Sequence, residues 1–177
     1  MKVFILVTLS LISLSVTAQV ELAKDSLILA TRQDTIIKNN VQVIDSVINY
    51  GKTFLGRPYR YRGMSAKGFD CSGFIRFIFQ KYGYDFPHSS SAYDQIGDKI
   101  SKDSVLTVKK GDLLLFKGRN IKQRRIGHVA MVIEVSDHQI LMMHSCCDKG
   151  VAIEELLTSA YYPKRLLQIR RLNNSIP

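Results

Sequence analysis

Partway along the chain the spacing of apolar residues changes, and that change limits the fold more than any other feature. Between Cys71 and Tyr82, residues Phe74, Ile75, Ile78, Phe79 and Tyr82 fall on one helical stripe, and Gly83 stands where a C-terminal cap belongs. From residue 112 the pattern breaks into short apolar or alternating runs, at 112–116, 128–135, 139–145, 151–155 and 166–172. Each is shorter than an ordinary helix, and turn residues separate them: Gly111, Gly118, Ser136-Asp137 and Asp148-Lys149-Gly150. Upstream, Ile44, Val47, Ile48 and Leu55 predict a helix over 43–55 that closes before Gly56 and Pro58. The segment 87–103 reads as loop with a short helix around Tyr93–Ile96. Helices first and antiparallel strands after them define an α+β layout, with about five strands in its sheet.

The N-terminus has a different character. Lys2 precedes an apolar stretch from Val3 to Val16, and Val16 and Ala18 are small residues placed for cleavage before Gln19. That pattern is a secretory signal peptide over residues 1–18. A stretch of about 14 apolar residues is short for spanning a bilayer, and no later segment is long and apolar enough. The expectation is an exported protein, in the periplasm or outside the cell, with no integral membrane segment in its mature chain. Residues 19–42 are mixed and polar and read as an arm or tether, which leaves 43–177 as the single domain. Lys and Arg total 25 against 15 Asp and Glu, a formal net charge of +10 that favours polyanionic partners. Export argues against nucleic acid among them. The mature chain is expected to be a monomer.

Three cysteines in an exported chain do not make a disulfide framework, because the number is odd and Cys146 and Cys147 are adjacent. Cys71 has a more specific setting in Asp70-Cys71-Ser72-Gly73. It sits at the start of the expected helix, where unpaired N–H groups and the helix dipole favour a thiolate. Its pKa is therefore expected below the free value of about 8.5. Asp70 can cap the first turn, and Ser72 and Gly73 are small enough to admit a substrate.

Two histidines complete the pattern. His128 opens one expected strand and His144 nearly closes the next. A three-residue loop at Ser136–His138 would pair Val135 with Gln139 and set His144 opposite Ala130, diagonal to His128 on one face. A two-residue loop would put the rings on opposite faces. Cysteine catalysis needs one imidazole to take the thiol proton and a second polar group to hold that imidazole in its useful tautomer. His128 suits the first role and His144 the second. His88 and His138 are read as ordinary core or surface residues. Cys146 should share the face of His144, and Cys147 should point away.

The motifs GRPYRYRGMSAKGFDCSGFIRFIF (56–79), PHSSSAYDQ (87–95), KKGDLLLF (109–116), GHVAMVIE (127–134) and HSCCDKGVAI (144–153) occur in one order. That order resembles the NlpC-type cell-wall cysteine peptidases, across roughly residues 43–172. The resemblance implies a papain-like α+β fold, Cys71 as nucleophile, His128 as base and His144 as the third polar residue. It also implies that the Tyr59 hydroxyl lies near the nucleophile to bind the oxyanion. Asp70, Ser72 and Ser90 would line the substrate groove. Two features depart from the family pattern: Arg62 precedes Gly63 where a glycine pair is usual, and Cys146 and Cys147 stand where small polar residues are more usual. The basic stretch 117–125, just before His128, reads as a solvated loop placed to meet an anionic glycan-peptide.

The function implied is an exported thiol peptidase that hydrolyses peptidoglycan stem peptides. The favoured bond joins γ-D-glutamate to a diamino acid, usually meso-diaminopimelate. The cross-link between D-alanine and the diamino acid is the alternative bond. A non-catalytic binder of anionic wall polymer, or an acyltransferase or amidase on the same fold, are the alternative classes. No cofactor or metal is expected: the sequence has no CxxC or HExxH, and its His and Cys fit a triad better than a zinc site.

Overall fold

The computed structural model describes residues 2–172. It divides into two units, residues 1–42 and residues 43–177. Residues 173–177, the end of the domain as read from the sequence, lie outside the described residues. Helix α1 runs over Lys2–Lys52. The sequence reading placed a tether at 19–42 and began the helix at residue 43; the structure extends the helix through both. The physical reason is the lack of a breaker: neither Gly nor Pro occurs before Gly51. Side chains from residue 21 to residue 35 are solvent-exposed. Residues 2–18 of the leader fall in α1; residue 1 and the side chains of the leader lie outside the described residues. Among the described residues no helix is long and apolar enough to cross a membrane.

The second unit holds helix α2 (Cys71–Gln80) and two sheets. A small ribbon pairs β1 (Met64–Ser65) with β2 (Gly68–Phe69) just before α2. The main sheet is antiparallel and contains six strands: β3 (Asp98–Ile100), β4 (Leu113–Lys117), β5 (Ile126–Ser136), β6 (Gln139–Cys146), β7 (Gly150–Glu155) and β8 (Leu166–Arg171). Their order is β3-β8-β4-β5-β6-β7. Five match the runs expected from the sequence. The sixth, β3, lies in a stretch read as loop: it is three residues long, mostly exposed, and pairs only with the end of β8. A strand that short and polar leaves no alternating pattern to read. The short helix expected near Tyr93 is a 3-10 helix over Ser90–Gln95.

Alternation along β4, β5 and β6 gives the sheet two apolar faces and the unit two cores. On one side Leu113, Leu115, Val129, Met131 and Met143 pack with Phe74, Ile75, Ile78 and Phe79 of α2 and with Ile44, Val47 and Ile48. On the other, Leu114, Phe116, Ala130, Val132 and Met142 pack with Tyr162, Leu166 and Ile169. Phe69 is wholly buried between the two ends of the first core, its ring 5.5 Å from Phe74, 5.1 Å from Phe77 and 5.6 Å from Phe54. Its carbonyl accepts a hydrogen bond from the Ser145 hydroxyl at 2.9 Å. Phe69→Ala is expected to cost about 3–5 kcal/mol of unfolding free energy in a denaturant titration. A loss below about 1 kcal/mol would show that this cluster collapses around the void.

The β5–β6 hairpin decides where the histidines stand. Ser136 pairs with Gln139, so the loop has two residues, not the three expected. Yet the register shifts between Val132 and Glu134, so that Met131 pairs with Met143. A β-bulge at Ile133 therefore adds the residue that the shorter turn omits. The two deviations cancel, and the register beyond the bulge carries His144 to the level of Ala130.

Candidate active site

Asp70 precedes α2 with extended backbone, and its carboxylate accepts from the Gly73 N–H at 2.6 Å. The Ser72 hydroxyl donates to the same oxygen at 3.0 Å, and the other oxygen lies 3.1 Å from His88 Nε2. Tyr93 donates to the Ser72 carbonyl at 3.2 Å. Asp70 and Ser72 are buried, so their side chains hold the helix end together rather than opening onto solvent. Gly73 has no room for a side chain: a Cβ there would stand 2.1 Å from the Gly63 carbonyl oxygen. These contacts fix Cys71 at the first turn of α2.

Cys71 is 7% exposed. Burial pushes its thiol up to about 11, and the Asp70 charge adds to that rise, against N–H groups of Val129, Ser72 and Cys71 that favour the thiolate. This corrects the lowered pKa expected from the helix terminus. Donors at a helix end are worth less than the desolvation of a thiolate sealed in an apolar core. The Val129 N–H belongs to the residue after His128, which brings the sulfur to the strand that carries the imidazole.

The two rings meet. His128 Nε2 lies 2.8 Å from His144 Nδ1, and His144 Nε2 lies 2.8 Å from Glu154 Oε2. Phe116 and Tyr162 pack against this pair, with ring centroids 5.9 Å from His128 and 5.5 Å from His144. Tyr162 also donates to Glu154 Oε2 at 2.6 Å, and Lys149 Nζ lies 2.5 Å from Oε1. The His144 hydrogen bond holds the Glu154 carboxyl far below the usual carboxylate range; burial opposes that, and Lys149 and Tyr162 reinforce it. Burial and the neighbouring His144 hold His128 down to about 3.

A carboxylate only accepts, which sets the direction of the whole chain. With one proton on each ring, His144 donates from Nε2 to Glu154 and accepts at Nδ1. His128 then donates from Nε2 and keeps the lone pair of Nδ1 free. At neutral pH the sulfur and this imidazole are both uncharged.

The remaining sequence-derived positions divide. Tyr59 bridges to Phe69, and its hydroxyl is pushed up by burial, then by the charges of Cys71, Cys147 and Asp70, so it stays a protonated donor, with Cys147 in hydrogen-bond reach. Ser90 opens the 3-10 helix, and among the described residues no hydrogen bond joins its hydroxyl to the network. All three cysteines are free. Cys147 was expected to point away, but it lies beside Tyr59, because β6 ends at Cys146 and strand alternation no longer governs the next residue. Arg62 adopts a left-handed φ of 57°, the conformation for which glycine is best suited.

Sequence reasoning missed Glu154, Tyr162, Lys149 and the role of His88 as a partner of Asp70. Only Glu154 left a trace, as one of two acids, with Glu155, that end an otherwise apolar strand. Its approach to His144 depends on the β6–β7 register, in which His144 faces Ala152 and Met142 faces Glu154.

Comparison with known proteins gives the family. The NlpC/P60 family model matches residues 56–171, and the chain belongs to that family. A Bacillus subtilis protein named gamma-D-glutamyl-L-lysine dipeptidyl-peptidase is 37% identical over 128 residues, covering 72% of this chain and 40% of that one. The probable endopeptidase NlpC of Escherichia coli is 28% identical over 137 residues, covering 77% of this chain and 82% of that one. The crystal structure of an NlpC/P60 family protein from Bacillus cereus superposes with a TM-score of 0.63 at 34% identity, over 76% of this chain and 40% of that one. The chain thus spans about two fifths of the Bacillus relatives it matches.

Proposed function

We propose that the protein is an exported cysteine peptidase that hydrolyses peptidoglycan stem peptides, preferring the bond between γ-D-glutamate and a diamino acid. The observation that carries this reading is the proton relay from His128 through His144 to Glu154, set beside a thiol at a helix N-terminus. The names of the Bacillus subtilis and Escherichia coli relatives support the substrate class. The leader-like residues 1–18 and the net charge of +10 suit work in an anionic wall.

In the proposed reaction the Cys71 sulfur attacks the scissile carbonyl as its proton passes to His128 Nδ1. The Tyr59 hydroxyl and the Cys71 N–H donate to the oxyanion. His128 returns the proton to the departing amine, leaving a thioester on Cys71. Water then attacks the thioester, giving its proton to His128, which passes it to the sulfur as the acid product leaves.

The test is digestion of purified muropeptides by the full chain, followed by mass spectrometry. Release of alanyl-γ-glutamyl dipeptide supports the preferred bond. Conversion of cross-linked dimers to monomers assigns the D-alanyl–diamino acid bond instead. Unchanged muropeptides would sink the enzymatic reading in favour of a wall-polymer binder.

The pH profile checks the base. A lowered pKa leaves His128 able to accept a proton well below the ordinary imidazole value of about 6.5. kcat/KM is expected to stay level from neutrality to about pH 5. A tenfold loss across that interval would show that His128 titrates as a free imidazole.

A further inference from the structure

The protein atoms behind His144 form a cluster that the proposed reaction does not use in full. His144 and Cys146 stand two residues apart on β6, on the same side of the strand. Glu154, opposite Met142 on β7, is the diagonal neighbour of His144. One ligand atom from each of His144, Cys146 and Glu154 lies within 4.8 Å of the other two. Cys146 is half-buried, so an ion can reach it from solvent.

We infer that His144, Cys146 and Glu154 form an inhibitory site for a zinc-like divalent cation, bound through Nε2, Sγ and a carboxylate oxygen. Imidazole, thiolate and carboxylate are the donors a borderline-soft cation takes, and three protein ligands leave a fourth position for water. Lys149 is the competing cation at Glu154. Its side chain is exposed and can turn away when the ion binds.

Binding reverses the relay. The Cys146 thiol loses its proton to solvent as the sulfur–metal bond forms. His144 Nε2 gives its lone pair to the metal, so the ring proton must sit on Nδ1. Nδ1 then donates to His128 Nε2, and the His128 proton moves to Nδ1. The proton leaving His144 Nε2 is balanced by the one gained at His128 Nδ1, so one proton is released per ion. His128 now presents N–H, not a lone pair, to the sulfur and cannot act as base. The inhibitory consequence rests on the peptidase reading; ion binding does not.

The two parts are tested separately. Full-length Cys71→Ala, which lacks the buried thiol of α2, is titrated with Co²⁺ and followed by its thiolate charge-transfer absorption. One equivalent is expected to give the band, and the added Cys146→Ser change is expected to abolish it, whereas Cys147→Ser leaves it. A band that survives Cys146→Ser, or that is lost only with Cys147→Ser, overturns the site. In hydrolysis assays Cys146→Ser is expected to keep the basal rate and to need at least about tenfold more Zn²⁺ for half-inhibition. Equal Zn²⁺ sensitivity of Cys146→Ser and wild type would overturn the inhibitory role even if Co²⁺ binds at the site.

Discussion

Cys71→Ala is expected to lower turnover of stem peptides by at least about 10⁴-fold, because the alanine has no nucleophile and the remaining groups only bind and polarise the carbonyl. The fold should survive. Asp70 caps α2 by accepting from the Gly73 N–H and the Ser72 hydroxyl, and neither contact uses the sulfur. The Tm is expected to fall by no more than about 4 °C. Cys146→Ala and Cys147→Ala provide the contrast: both should retain hydrolysis, since neither thiol stands at a helix N-terminus. Mass spectrometry of wild type quenched during turnover should find the acyl group on Cys71. Hydrolysis by Cys71→Ala at an undiminished rate would move the chemistry to another group.

Much of the fold was legible because each element leaves its own period. The stripe from Phe74 to Tyr82 and the five apolar runs after residue 112 correspond to α2 and to β4 through β8. What the sequence concealed depends on contacts between elements. β3 exists only because Arg171 and its neighbours offer an edge to pair with. The bulge at Ile133 leaves no mark of its own, since Ile is as much at home in a regular strand as in a bulge. The turn length expected from residues 136–138 was wrong by one, and the relation of His144 to His128 was nevertheless correct because the bulge restored it. Cys71 was recognisable by its neighbours, but not the sign of its pKa shift. Donors can be read from a helix start, whereas the depth of burial comes from Phe69, Phe74 and Val129, which arrive from three different elements.

Glu154 is the clearest case of a functional group that the one-dimensional pattern could not place, and it carries the second large effect. Glu154→Gln is expected to lower kcat/KM by about 10²-fold or more. Lys149 and Tyr162 donate to Oε1 and Oε2 respectively. The glutamine amide keeps one acceptor where Glu154 has two, and with its NH₂ toward His144 the ring loses the acceptor that fixes its tautomer. His144 Nε2 must then accept, Nδ1 must carry the proton, and His128 is left with N–H facing the sulfur. The substitution changes no volume, so the Tm should stay close to that of wild type while activity falls. Glu154→Asp keeps an acceptor-only group and should recover part of the loss despite its shorter reach. Equal loss in Glu154→Asp and Glu154→Gln would assign the residue to packing, and full activity in Glu154→Gln would show that His144 holds its tautomer without help from β7.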